Sequence, residues 1–317
     1  MMKSLLCATA LGLAASTLPF AASAQDNGGE QFVLISHAPD SDSWWNTIRN
    51  AIKLAADELD VTVDYRNPPT GDLADMARIV EQATASNPDG IIVTIADFDV
   101  LSGPIRAAVD QGIPVITINS GTAEQSKELG ALMHVGQPEF EAGRLAGERA
   151  KKEGASHFVC VNHYITNPAS VERCRGFAEG LGVEFGNQMI DAGQDPGQIQ
   201  NTVSAYLSAN PDTDAILTLG PTSAHPTIRA VQEQGLGGDQ TVFATFDLSG
   251  EIAQAIRDDI VDFAIDQQPF LQGYLPVVFL TNYDRYGVIP SNDVNSGPGF
   301  ITKDNLDQVE ALAGQYR

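Results

Sequence analysis

Positive charge is scarce in this sequence. Eighteen Lys and Arg residues stand against 41 Asp and Glu residues, which gives a formal net charge of −23 at pH 7. Such an excess of carboxylates repels the phosphates of nucleic acids and anionic lipids, and it favours a soluble monomer. No basic patch occurs along the chain, so we expect no nucleic-acid partner.

Cysteine and histidine are too few and too scattered for a metal centre. The chain has three Cys and five His, without a CxxC pair or another zinc-type spacing, so we expect neither a metal nor a cofactor. No GxSxG motif occurs, and the sequence predicts no catalytic residue. Cys160 and Cys174 are compatible with a disulfide in an oxidising compartment or with two inert buried thiols.

A long apolar run occurs only at the start of the chain. Residues 1–24 combine basic Lys3, the run "LLCATALGLAASTLPFAA" and the small residues "ASA" before Gln25, which is the pattern of a cleaved export signal. Cys7 lies too early in the run for a lipoprotein acylation site. Removal of this segment leaves 17 basic against 41 acidic residues, a net charge of −24.

The rest of the chain alternates β-branched runs with amphipathic stretches, and it does so twice. Strands are predicted in the first half at 31–36, 61–66, 90–95 and 113–118, and in the second half at 156–161, 187–191, 214–219, 241–246 and 261–266. Helices are predicted between them, with a short final helix over 303–316. This order predicts an α/β protein of two similar Rossmann-like lobes, each a parallel sheet flanked by helices.

Polar and aromatic side chains follow the predicted strands. Ligands of open α/β sheets bind beyond the carboxyl ends of the strands. Carboxylates and amide oxygens accept hydrogen bonds from hydroxyls, amide and guanidinium groups donate to them, and an indole covers an apolar C–H face. The segments after the strands therefore predict a site for a neutral polyhydroxylated ligand. The candidate residues are Asp40, Asp42, Trp44, Trp45, Asn119, Ser120, Asn162, His163, Arg173, Asp247 and Gln267.

Several of these residues also have a purely structural interpretation. Asp42 or Ser43 could cap the helix that follows. One of the two indoles could fill the core, because adjacent helical residues point about 100° apart. Arg173 could pair with a surface acid, and Asp247 could cap the helix near Ser249.

Five segments carry a resemblance to a known family: "SDSWWNTIRNAI", "GIPVITINS", "SVERCRGF", "FATFDLSGE" and "IDQQPFLQG". The chain resembles type I periplasmic binding proteins throughout its length. These are the solute receptors of bacterial ABC sugar importers, and the ribose-, galactose- and inositol-binding branch is the most similar. The resemblance assigns seven of the candidate residues to ligand binding: Asp42, Trp44, Trp45, Asn119, Arg173, Asp247 and Gln267.

The chain departs from the family pattern at three positions. Ribose binders have an Arg where Ser120 stands and an Asn where Gly220 stands. The aromatic that family members place near position 194 is replaced by Gln194. These differences leave the identity of the sugar open.

The resemblance also implies two lobes joined by three chain crossings, near 134, 267 and 295. The N-terminal lobe would comprise 25–134 and 268–294, and the C-terminal lobe 135–267 and 295–317. We expect the lobes to close on a monosaccharide in the periplasm and to deliver it to an inner-membrane permease.

The sequence leaves alternatives to this function. The ligand could be a polyol, an inositol or an autoinducer-2-like furanose, and the closed form could also serve chemotaxis. A secreted enzyme would need a nucleophile or paired acids. A sugar-responsive transcriptional regulator shares the fold, but it would carry a basic helix-turn-helix in place of the signal.

Overall fold

The computed structural model describes residues 28–317. The predicted export signal (1–24) lies outside the described residues. Within the described part, no helix is both long enough and apolar enough to cross a bilayer.

The first half alternates strands and helices without a break. Its elements are β1 (Gln31–Ile35), α1 (Trp45–Leu59), β2 (Thr62–Arg66), α2 (Leu73–Ala85), β3 (Gly90–Val93), α3 (Phe98–Asp110), β4 (Val115–Ile118), α4 (Ala123–Glu128) and β5 (Met133–Gly136). Side-chain caps start several helices, for example Asp72, which accepts from the Asp75 N–H at the start of α2. The short helix α4 was not predicted.

The second half repeats this order. Its elements are α5 (Glu139–Lys152), β6 (Phe158–Asn162), α6 (Pro168–Leu181), β7 (Met189–Asp191), α7 (Pro196–Ala209), β8 (Ala215–Thr218), α8 (Pro221–Glu233), β9 (Val242–Phe246), α9 (Gly250–Arg257) and β10 (Phe263–Asp266). The chain ends with α10 (Pro269–Tyr286), β11 (Val294–Asn295) and β12 (Gly299–Ile301).

The strands form two six-stranded sheets with equivalent strand orders. The first is β11-β5-β4-β3-β1-β2 and the second is β12-β10-β9-β8-β6-β7. All neighbouring strands in the described residues are parallel except β10 and β12. The prediction of two parallel α/β lobes is confirmed.

Each sheet is covered on both faces. In β1, Phe32 and Leu34 pack into one core and Val33 and Ile35 into another. Four separate apolar cores result, two for each sheet. Burial on both faces explains why these strands read as continuous apolar runs in the sequence.

The chain passes between the two sheets three times within residues 28–317. It leaves the first sheet after β5, returns after β10 into α10, and crosses again between β11 and β12. Helix α10 packs on α1, and a Cβ at Gly273 would clash with Ala51 and with the backbone of Ile48.

Helices α5 and α6 approach each other closely through small residues. Added Cβ atoms at four glycines would overlap the backbone of the opposite helix: Gly143 and Gly147 in α5, and Gly176 and Gly180 in α6. The two glycines of each helix are four residues apart, so they lie on one face. This face fixes the position of α6 against the second sheet.

The C-terminal segment differs from the prediction. Instead of a helix over 303–316, it forms two 3₁₀ turns, Leu306–Gln308 and Glu310–Leu312. Leu306 and Val309 are buried in the core of the second lobe and are three residues apart, which is the repeat of a 3₁₀ turn. The segment then reaches the first lobe, where the Gln315 carbonyl accepts from Asn50 Nδ2 at 3.0 Å and the Tyr316 ring meets Phe270.

Candidate functional site

The carboxyl ends of the two sheets face each other across a small pocket. All seven predicted binding residues line it, together with further residues from both lobes. The cavity volume is about 60 Å³. Residues that are more than two hundred positions apart in the sequence, such as Asp42 and Asp247, therefore line the same pocket.

The paired indoles lie at the start of α1. Trp44 precedes the helix and Trp45 is its first residue, with ring centroids 5.2 Å apart in an edge-to-face arrangement. Both rings are buried in the core above the first sheet, and both also line the pocket. Asp42 Oδ1 accepts from the Trp44 N–H at 3.1 Å, which fixes the loop before the helix. The expected cap by Asp42 or Ser43 is not formed, because α1 has no side-chain cap, whereas both indoles are core residues that also line the pocket.

An amide network joins the first lobe to the crossing after β10. Asn119 follows β4 with a positive φ of 57°, a conformation that Asn tolerates, and its Nδ2 donates to Gln267 Oε1 at 3.1 Å and to Gln272 Oε1 at 3.0 Å. Ser120 Oγ donates to Asn119 Oδ1 at 3.0 Å and accepts from Asn167 Nδ2, in the other lobe, at 2.9 Å. These bonds hold the two lobes together at the pocket wall.

Arg173 is buried in α6, and its charge is matched by Glu139 at the start of α5. Nε and Nη2 donate to the two Glu139 oxygens at 2.6 and 2.8 Å, and Nη1 donates to the Leu219 carbonyl at 3.0 Å. The guanidinium carbon lies 4.3 Å from the centre of the Phe246 ring. Burial alone would lower the pKa of Arg173, but Glu139 raises it above its usual value. The expected acid partner exists, although it is buried rather than on the surface.

Asp247 follows β9, also with a positive φ (65°), and accepts from Gln267 Nε2 at 2.7 Å. It does not cap α9, because Ser249 fills that role by accepting from the Ile252 N–H. Burial raises the pKa of Asp247 to about 7, against the opposing influence of Arg173 and of the Gln267 hydrogen bond. Burial likewise raises the pKa of Asp42.

Two histidines line the pocket from opposite lobes. His37 Nδ1 lies 3.0 Å from Thr94 Oγ1, and its ring meets Trp45 edge-on at 5.4 Å. Burial, then the neighbouring His163 and Arg173, lower the pKa of His37 to about 3. Burial and Arg173 lower the pKa of His163 to about 4. Both rings are therefore neutral at physiological pH.

A wider cavity of about 500 Å³ continues outward from this pocket and shares residues such as His37, His163 and Tyr164 with it. His163 Nδ1 and the Tyr164 hydroxyl are buried without a hydrogen-bond partner among the described residues. Gln194 lies in this outer cavity rather than in the inner pocket.

A disulfide joins Cys160 in β6 to Cys174 in α6, with their Cα atoms 5.8 Å apart. Cys174 is the neighbour of Arg173, so this bond anchors the pocket arginine to the sheet. In residues 28–317, no group of three or more His, Cys, Asp or Glu side chains is arranged to hold a metal ion.

The residues in or near the pocket that the sequence analysis missed include His37, Glu139 and Asn167. Asn167 had a usable signal, since an Asn before Pro168 is typical of a helix start, and it caps α6 by accepting from the Ala169 N–H at 3.0 Å. Glu139 had none, because it meets Arg173 only through the packing of α5 on α6.

Comparison with known proteins agrees with this architecture. Residues 32–284 match the periplasmic binding protein domain family. A xylose/arabinose-binding protein of Sulfolobus acidocaldarius is 26% identical over 273 residues, which cover 81% of this chain and 67% of the relative.

Solved structures of sugar-transport proteins also match this chain. A carbohydrate transporter from Acidothermus cellulolyticus, in complex with myo-inositol, is 34% identical with a TM-score of 0.83, covering 90% of this chain and 98% of the other. A periplasmic sugar-binding protein from Legionella pneumophila is 26% identical with a TM-score of 0.77, covering 84% and 99%. The chain therefore belongs to the periplasmic binding protein family, which is made of solute-binding proteins rather than enzymes.

Proposed function

We propose that this protein is the periplasmic substrate-binding component of an ABC importer for a small polyhydroxylated ligand. The observation that carries the proposal is the convergence of two indoles with Asn119, Arg173, Asp247 and Gln267 on one pocket between the lobes. The indoles offer apolar faces, and the polar groups offer both donors and acceptors for hydroxyls. Binding of a monosaccharide or an inositol matches this chemistry, and relatives that bind xylose, arabinose and myo-inositol support it.

Contacts between the lobes support a closure mechanism. The Asn167–Ser120 hydrogen bond and the 5.5 Å approach of the His37 and Tyr164 rings both join the two lobes beside the pocket. A ligand that contacts both lobes shifts the open–closed equilibrium only as far as it prefers the closed form. The excluded water strengthens each hydrogen bond to the ligand. We propose that the three crossings between the sheets act as the hinge, and that the permease recognises the closed form.

The export signal at 1–24 and the Cys160–Cys174 disulfide support a periplasmic location, because disulfides persist in oxidising compartments. Mass spectrometry of the protein purified from its native host tests this part. We expect a mature N-terminus at Gln25, and a retained Met1 would contradict export by cleavage.

A ligand screen tests the binding function. Purified protein would be heated with aldoses, ketoses, polyols and inositols, and ligands that raise Tm would be titrated by calorimetry. We expect one class to give a saturable stabilisation of about 3 kcal/mol at one hundred times its Kd. Failure of every polyol to bind would contradict the proposal, and turnover of a bound ligand would indicate an enzyme instead.

A further inference from the structure

The ionisable groups of the inner pocket do not balance. Two carboxylates, Asp42 and Asp247, face one guanidinium, Arg173, which is the only Lys or Arg side chain among the described residues that line the pocket. The two pocket histidines add no positive charge at neutral pH, since burial keeps both of them neutral.

Arg173 supplies only part of the counter-charge to Asp247, since it lowers the pKa of that carboxyl but burial still raises the pKa to about 7. Its guanidinium forms a two-bond ion pair with Glu139, whose side chain is only 4% exposed. Most of the positive charge of Arg173 is therefore neutralised by Glu139.

Asp247 has one oxygen available. Gln267 donates to Oδ1, whereas Oδ2 carries no hydrogen bond from the residues that the structure describes. A Cβ at Gly220 would lie 3.4 Å from Oδ2 and 3.7 Å from His163 Cε1. The missing side chain at Gly220 thus opens the space between Asp247 and His163.

The other charges around Asp247 do not compensate it. Asp266 and Glu139 add negative charge nearby, and Arg317 is paired with Asp266 at 2.6 Å. A neutral hydroxyl would give Oδ2 a hydrogen bond but no opposite charge, whereas an ammonium would stabilise the ionised form of a carboxyl whose pKa burial has raised to about 7. A buried charge is costly unless it is both paired and hydrogen-bonded.

We propose that the preferred ligand of this pocket is a polyol that carries a protonated amino group, an amino sugar or an aminocyclitol, with its ammonium against Asp247 Oδ2 above Gly220. This inference rests on the binding function proposed above and narrows its substrate class. The same charge arrangement disfavours sugar acids and sugar phosphates.

The first test compares neutral ligands with their amines. Calorimetric titration at pH 7 would use the best neutral polyol from the screen and its analogues with one hydroxyl replaced by an amino group, together with the pairs glucose/glucosamine and galactose/galactosamine. We expect at least one amine to bind tenfold or more tightly than its neutral counterpart. If neutral polyols bind and every amine binds equally or more weakly, this inference is overturned while the binding function stands. If neither class binds, both fail.

The second test locates the ammonium. Asp247→Asn keeps the acceptor for Gln267 and removes only the charge, so the amine should lose about 30-fold or more in affinity, and the neutral analogue much less. Asp212→Asn, on the exposed turn before β8, is the matched surface control and should leave both affinities unchanged. An unchanged ratio of amine to neutral affinity in Asp247→Asn would overturn the assignment. The assignment would also be overturned if Asp42→Asn, and not Asp247→Asn, removed the preference for the amine over its neutral analogue.

Discussion

Arg173 has more hydrogen-bond donors than its protein partners use. A guanidinium carries five N–H groups, and Glu139 and the Leu219 carbonyl take three of them. The remaining two are available for ligand hydroxyls. The same residue therefore supports the fold through one edge of its plane and can bind ligand through the other.

Replacing Arg173 should separate these two roles. Arg173→Ala leaves Glu139 buried without its cation, so we expect a lower Tm and a loss of about 2–4 kcal/mol in ligand binding. Arg173→Lys keeps the charge beside Glu139 but lacks the planar fork, so it should fold with a smaller loss of Tm and still bind about tenfold more weakly. Calorimetry and thermal unfolding measure the two effects. Unchanged affinity in both variants would remove Arg173 from the ligand site.

The sequence predicted which residues line the pocket better than it predicted which side chains form hydrogen bonds and ion pairs with them. The seven predicted residues follow strands whose carboxyl ends must meet at one edge of each sheet, so their type and position could be inferred. Glu139 lies 34 positions from Arg173, and nothing in the local pattern pairs them. The charge balance of the pocket depends on that pair, and it could be assessed only after the helices were in place.

At the scale of the elements, the contact between α5 and α6 determines where Arg173 lies. Gly147 faces the Phe177 carbonyl so closely that a Cβ would overlap it, and Gly143 has the same relation to the Arg173 carbonyl. The helices can approach this closely only because no side chain stands between their backbones. A change on this face therefore moves the pocket arginine as well as the helix.

Gly147→Ala tests the contact. We expect a destabilisation of about 1–3 kcal/mol from overpacking, together with weaker ligand binding because α6 shifts. Gly103→Ala is the matched control, since Gly103 is an exposed glycine of α3 with no heavy atom near its added Cβ. It should change the free energy of unfolding much less than Gly147→Ala, because its Cβ meets no neighbouring atom, and the following Pro104 limits any gain in helix propensity. Denaturant unfolding measures both changes, and equal shifts in the two variants would contradict the packing role.

Strands were more predictable than the other elements. The inner strands of both sheets are short apolar runs that are buried on both faces, and this pattern is visible in the sequence alone. By contrast, α4 has only six residues, and β11 has two and exists through pairing with β5. The predicted C-terminal helix was wrong because Leu306 and Val309 are buried at a spacing that suits 3₁₀ turns, while the local composition also allows a helix.

At the scale of the whole molecule, one hydrogen bond joins the lobes beside the pocket without needing a ligand. Asn167 Nδ2 donates to Ser120 Oγ at 2.9 Å, and Asn167 also caps α6. We expect this bond to break in the open form that the closure mechanism proposes, so it should stabilise the closed form only. The bond should therefore influence both the radius of gyration of the ligand-free protein and its affinity for the ligand.

Asn167→Ser keeps a capping side chain but is too short to reach Ser120. We expect a larger radius of gyration without ligand by small-angle X-ray scattering, and a loss of about 0.5–1.5 kcal/mol in ligand binding. Ser120→Ala should give a similar loss, and the double variant should be no weaker than the worse single variant. Additive losses would mean that the two residues act separately.

The C-terminal segment offers a practical route to an optical reporter. Its 3₁₀ turns bury Leu306 and Val309 in the core of the second lobe. In the first lobe, the Tyr316 ring contacts Phe270, and the Gln315 carbonyl accepts a hydrogen bond from Asn50. Any rotation of one lobe against the other must slide this segment across α1 and α10. We expect an environment-sensitive dye attached at position 316 to change its emission as the protein opens and closes, because this position moves with the segment but does not line the pocket.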